Sequence, residues 1–398
     1  MTARLPARIP ITMAGCRVAR KAAAAVALVL APSLATAQPR ATPPTANYWV
    51  YVGAESADMI HRVRFGPDGA VVERTIGVGV NPTEMEGPHG LQISRDGRYL
   101  HMTTGHGSPD GQYWKYHLGP DTLVGPPIPL GDFPASIDVT PDGLYAFVSN
   151  FSLYGPMVPS SISVIFTPTN TEVARVDTCV MPHGSRVNAL GTRHYSTCMM
   201  DDQLVELDAT TFQVARRFSV AKGREGPIEV HAGHAGHQAM GHEPGTAMPP
   251  ASCSPTWAHP SPDNAKVYVA CNRADEVLEV DIASWTVTRR FATGRGPYNV
   301  DVTPDGALLV VTLKPGSGVQ LFDLRSGERV MDLKSSTTVT HGIAISPDSR
   351  YAFISNEAVG AQPGKVDIYD LRARLRVAEV EVGQQAGGIA FWKMEPVP

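Results

Sequence analysis

Three histidines recur in one short motif: His89 in Pro88-His89-Gly90, His183 in Pro182-His183-Gly184 and His341 in Thr340-His341-Gly342. A neutral imidazole is a borderline-soft donor and a ready proton acceptor. Three in one setting therefore predict a site for copper first and zinc second, or a base for hydrolysis. The competing expectation is that Pro-His-Gly suits a turn and each imidazole bonds to neighbouring backbone. A second cluster lies in the tract 221–252, where His231, His234, His237 and His242 stand with Met240 and Met248. Short His/Met-rich tracts bind metals, and thioether sulfur favours copper(I) where zinc seldom uses it. The same tract also reads as a flexible, incidentally His-rich loop. His106, in TTGHGS, and Glu86, three residues before His89, read first as solvated loop residues. Second, they are an extra ligand and a partner for an imidazole.

Other chemistries are absent. No Gly-x-Ser-x-Gly elbow, phosphate-binding glycine loop or His-Glu-x-x-His occurs, so no nucleotide is implied. No Cys-x-x-Cys-His is present, which excludes a covalently attached c-type haem. The net charge of -4, with 18% charged residues and no basic stripe, argues against a nucleic-acid partner.

The N-terminus predicts export. Arg4, Arg8, Arg17, Arg20 and Lys21 precede an apolar run from Ala22 to Leu30, and Ala35-Thr36-Ala37 is a small-x-small cleavage motif. Residues 1–37 are thus expected to be a cleavable signal peptide, with the apolar run too short to span a bilayer. Cys16 lies upstream of that run, whereas a lipid-bearing cysteine follows it. Residues 38–46 are expected to be a disordered leader, and the mature protein to be periplasmic or secreted and not membrane-spanning.

The elements that must position these histidines are legible as a repeat. A unit Pro-x-Gly/Ser followed by an alternating strand, a Pro-Asp-Gly turn and an apolar strand ending in Ser/Thr-Asn starts at Pro88, Pro134, Pro182, Pro255, Pro297, Thr340 and Ala386. Successive starts lie 46, 48, 73, 42, 43 and 46 residues apart, and the long interval is one period plus the His/Met-rich insertion. Each unit supplies four short strands. The last has only its first strand before the sequence ends, and the missing three are NYWVYVG, MIHRVRF and AVVERTIG between Asn47 and Gly77. One blade built from both termini closes a ring, so residues 47–398 are predicted to form a single all-β, seven-bladed β-propeller of four-stranded antiparallel blades. In the turns, Asp142, Asp263, Asp305 and Asp348 are expected to accept local backbone hydrogen bonds.

Circular symmetry turns a column of aligned residues into a ring. The residue after each unit's first is His89, Ala135, His183, Thr256, Tyr298, His341 and Gly387. The three imidazoles are therefore expected to face one another across a central channel. The cysteines follow the same geometry. Cys198 and Cys271 end second strands, while Cys179 and Cys253 lie just before first strands, predicting disulfides Cys179–Cys198 and Cys253–Cys271 ahead of thiolate copper ligands. His61, His101, His117, His194 and His259 share no column and read as ordinary surface or packing residues.

The endings FVSN (147–150) and FISN (353–356) resemble the YVTN-type propeller repeat, and the resemblance covers nearly all of 47–392. It implies the fold and little about function. Related propellers include lactonases, the propeller half of nitrous oxide reductase, and scaffolds with no chemistry. Three expectations follow: a copper-binding protein with possible redox work on a small molecule in the central funnel, a lactonase-like hydrolase, or a scaffold docking a partner protein on its face.

Overall fold

The computed structural model describes residues 41–81, 83–107, 111–229 and 250–397. The expected signal segment, residues 1–37, and the insertion's candidate ligands His231, His234, His237, Met240, His242 and Met248 lie outside the described residues. Seven antiparallel sheets follow one another around a ring, each running from an innermost to an outermost strand. The innermost strands are Pro88–Ile93, Pro134–Val139, Pro182–Val187, Pro255–Pro260, Pro297–Val302, Thr340–Ile345 and Ala386–Pro396. Two sheets depart from four plain strands. One adds Gly226–Ile228 at its edge, and the other breaks its outer strand into Thr122–Leu123 and Ile128–Pro129.

The closing blade is assembled as the repeat predicts. The C-terminal strand Ala386–Pro396 pairs with Ala46–Ala54, which pairs with Met59–Gly66 and then Gly69–Gly77. Its faces are apolar and packed against the neighbour: Tyr48, Val50 and Phe65 form one buried cluster with Tyr351, Phe353 and Ile368. The aspartates of the turns take up local donors, with Asp142 accepting Leu144 N–H at 3.0 Å and Asp305 accepting Ala307 N–H at 3.0 Å. This fixes the short turn that joins first strand to second.

Both disulfides form as expected, Cys179–Cys198 and Cys253–Cys271, with Cα–Cα distances of 5.8 and 4.5 Å. Each ties the entry of an innermost strand to the end of the strand beside it. Two disulfides fit a protein that works outside the reducing cytosol. Among the described residues no helix is long and apolar enough to cross a membrane.

Candidate functional site at the channel mouth

Two devices aim side chains at the axis. Each innermost strand has a register shift near its start, as between Pro88 and Leu91, Pro182 and Ser185, or Thr340 and Ile343. A bulge of this kind re-aims the residues around it. The second device is a hydroxyl clip. Thr312 sits one residue before the end of its strand; its side chain accepts Asn299 N–H at 3.1 Å and donates to the His341 carbonyl at 2.8 Å. Thr103 does the same, accepting from Gly90 N–H at 3.0 Å and donating to Pro134 O at 2.7 Å. Ser355 accepts from Gly342 N–H at 2.8 Å and donates to the Gly387 carbonyl. Thr103, Thr312 and Ser355 thus each stitch one blade's innermost strand to the next, and the backbone around Gly90 and His341 is pinned from the side.

The result is a cavity of about 330 Å³ at the channel mouth. His89 and His341 lie side by side with ring centroids 5.7 Å apart, across the position of Gly387, which has no side chain to separate them. Tyr298 stands 4.7 Å from His341 and 5.4 Å from His183. His183 is engaged at both ring nitrogens: Nδ1 pairs with Thr256 O at 2.8 Å and Nε2 with the Tyr298 hydroxyl at 2.9 Å. The three column histidines share the cavity, but they do not converge on one point as rings around a single ion. Among the described residues, no group of three His, Cys, Asp or Glu side chains stands ready to hold a metal.

Charged groups that the column of histidines does not reveal complete the wall. Glu55, Lys314 and Glu357 each follow directly on a strand, after Ala54, Leu313 and Asn356. Superposing the repeats places them in one ring with Gly105, Phe151, Met199 and Asn272. Glu55 Oε2 lies 4.0 Å from His89 Nε2, and Glu357 Oε1 lies 3.5 Å from His341 Nε2 and 2.7 Å from Lys314 Nζ. The Lys314 ammonium sits 4.4 Å over the Tyr298 ring. Phe133, Phe151, Leu153 and Met199 supply an apolar wall.

His106 and Glu86 depart from the solvated-loop expectation. His106 Nε2 bonds Glu55 Oε1 at 2.6 Å, and its Nδ1 meets the Tyr154 hydroxyl at 2.5 Å. Gly105 allows this: a Cβ there would press on the Phe133 ring at 2.8 Å. Glu86 is buried and shapes the approach, with Oε1 accepting Val80 N–H and Asn81 N–H at 2.5 and 2.9 Å. A short gap to Pro88 hid this role, because the turn bonds that bury a carboxylate leave no periodic mark. His61, His101 and His194 are buried and hydrogen-bonded as packing residues. His259 Nε2 lies 3.2 Å from Asp301 Oδ1 of the neighbouring blade.

Burial sets the protonation of the wall. It pushes His183 down to about 3 and His341 well below the ordinary imidazole range, helped at His341 by the Lys314 charge. Burial also lifts the Tyr298 hydroxyl to about 12. For Glu55 burial works upward, but His89, His106 and Lys314 outweigh it and hold the carboxyl below its usual value. Lys314 is raised in turn: burial opposes its charge, and Tyr298, Glu357 and Glu55 overcome that. At neutral pH Glu55 is therefore held as a carboxylate and Lys314 as an ammonium, while His183 and His341 are kept uncharged.

No protein-family model matches the chain, and no curated protein matches it by sequence. Solved structures do match in fold. One is Kuenenia stuttgartiensis hydrazine synthase, at 18% identity and a TM-score of 0.58, covering 79% of this chain and 92% of that one. Another is a functionally unknown protein from Desulfotomaculum acetoxidans, at 14% identity and a TM-score of 0.61, covering 86% and 98%. Identities this low carry the architecture and nothing of the chemistry.

Proposed function

We propose that this exported propeller binds a transition-metal ion, copper before zinc, in the channel-mouth cavity, and that the ion acts on a small molecule admitted beside it. The observation that supports this is a charge imbalance. Glu55 and Glu357 face a single ammonium, Lys314, and burial keeps His183 and His341 neutral. A buried cavity with surplus negative charge and uncharged imidazoles favours a cation. His89 and His341, each facing a carboxylate through Nε2, are the nitrogen donors, with Glu55 and Glu357 as oxygen donors. A mixed nitrogen and oxygen set suits copper(II) or zinc. His183, engaged at both nitrogens, orients Tyr298 instead of ligating. A bound ion would supply Lewis acidity or redox capacity, Tyr298 and Lys314 would orient a polar substrate, and the Phe133 and Phe151 wall would exclude water. The insertion histidines and methionines would be a delivery site.

A lactonase-like hydrolase is the second reading, and one observation favours it. The chain Tyr154–His106–Glu55 can bring a proton to the cavity without any metal. In this reading Glu55, bonded directly to His106, would be the proton acceptor. Metal analysis separates the two. Untagged protein from an oxidising compartment is assayed for copper and zinc, then titrated with each. The comparison variants are His89→Ala with His341→Ala, and a separate variant with His231, His234, His237 and His242 changed to Ala. Metal retained by the insertion variant and lost from the channel variant supports the proposal. An unmodified protein that neither carries nor takes up either metal ends it, and the hydrolase reading then leads.

A further inference from the structure

A second, smaller cavity adjoins the mouth. The innermost strands line it, and Arg186, Trp257, Asn299 and Ala135 are among its walls, with His89 and His341 bordering it as they border the mouth. It encloses about 20 Å³, against the roughly 10–15 Å³ that a single water needs, so it takes one atom-sized guest. Among the described residues no carboxylate lines it, and its one permanently charged side chain is Arg186.

The wall is rich in donors that the protein leaves unused. The Arg186 guanidinium stacks over the Trp257 ring at 4.8 Å, and among the described residues its one hydrogen bond goes to Ser185 O, at 2.8 Å, and it enters no ion pair. Trp257 is buried and its Nε1 has no partner, and an indole N–H can only donate. The other four indoles do donate: Trp49 to Glu73, Trp114 to Thr104, Trp285 to Arg217 O and Trp392 to Gly97 O. The buried Asn299 amide has an unpartnered Oδ1, and no side-chain bond fixes which end of that amide faces the cavity. The carboxyl groups of the adjoining strand positions are engaged elsewhere. Asp138 accepts Gln92 Nε2, Val187 N–H and Val139 N–H at 2.5, 2.7 and 2.9 Å, and Asp301 pairs with His259 at 3.2 Å.

We propose that this cavity holds one monatomic anion, chloride in salt-containing surroundings, seated on the Arg186 guanidinium and the Trp257 indole N–H with the Asn299 amide turned to donate as well. A buried charge needs a counter-charge or a full set of hydrogen bonds. A water would occupy the indole donor and leave the guanidinium uncompensated, whereas a halide meets both. The volume excludes sulfate or phosphate and sets the ligand class as a single ion. The site goes beyond the metal reading and does not depend on it, because Arg186, Trp257 and Asn299 take no part in the mouth.

Stability and diffraction test it together. The purified chain, held in a chelator so that the mouth carries no metal, is unfolded by heat while chloride replaces gluconate at constant ionic strength. The Tm should rise with chloride along a single-site saturation curve. Arg186→Gln should weaken the apparent chloride affinity by about tenfold or more, the loss expected of a charge-assisted contact. If that variant fails to fold, Trp257→Phe removes the N–H, keeps an aromatic ring beside Arg186, and should weaken the response in the same direction. Crystals grown in bromide should show one anomalous peak in contact with Arg186 and Trp257 Nε1. A water at that position, a Tm indifferent to chloride, or an unchanged response in a folded variant each overturns the proposal. Bromide seen in the crystal without any effect on Tm is an adventitious ion only, and overturns it too. None of these outcomes bears on whether the mouth binds copper or zinc.

Discussion

The pair His259–Asp301 gives the sharpest test of how burial sets charge in this fold, because burial drives its two members in opposite directions. It lifts the Asp301 carboxyl from 3.8 to about 7, against the Arg186 charge, and pushes His259 from 6.5 to about 3. Asp138 faces His259 and works weakly the other way. The folded protein therefore keeps a proton on Asp301 that the unfolded chain releases near pH 4, so this group's contribution falls as pH rises from about 4 to 7. His259 stays neutral in the fold while the unfolded chain is protonated below pH 6.5, so its contribution falls as pH drops from there towards 3. In the parent the two trends largely cancel; a single substitution exposes either one. A move from 3.8 to about 7 is worth at most about 4 kcal/mol at ~1.4 kcal/mol per tenfold change. The Asp301 side chain keeps 17% of its surface exposed, and solvent there lowers the expected effect to about 2 kcal/mol. Asp301→Asn should match the parent at pH 4 and exceed its stability by about 2 kcal/mol at pH 8. His259→Gln should show the reverse, with its gain growing as the pH falls below 6. Urea unfolding at pH 4, 6 and 8 measures both as differences from the parent, so that the other buried histidines cancel. A pH-independent gap for Asp301→Asn would show that the carboxyl is solvated, and the reasoning from burial would fail.

Three further outcomes follow from the fold and the mouth. Removing the Thr312 hydroxyl in Thr312→Val leaves Asn299 N–H and the His341 carbonyl without their partner, and should cost about 1–3 kcal/mol in thermal or urea unfolding. Replacing Cys179 and Cys198 together by Ser opens a 19-residue loop and should cost about 3 kcal/mol, read in the same assay under non-reducing conditions. Lys314→Met removes the one ammonium beside Glu55 and Glu357, so affinity for an added divalent cation should rise by about tenfold or more. Calorimetric titration of the parent and variant checks this, and weaker binding in the variant would contradict the charge argument for the mouth.

What the sequence discloses is what repetition encodes. The split blade, the turn aspartates and the pairing of Cys179 with Cys198 and Cys253 with Cys271 each follow from superposing units, because a residue at the same place in each blade meets the same neighbour. The three histidines were visible for the same reason. Glu55, Lys314 and Glu357 were not, since their shared position is otherwise filled by Gly105, Phe151, Met199 and Asn272, and no residue type repeats to draw the eye. The position is still recoverable: it is the first residue beyond the second strand of each blade. His106 and Glu86 depend on local loop bonds that have no period at all.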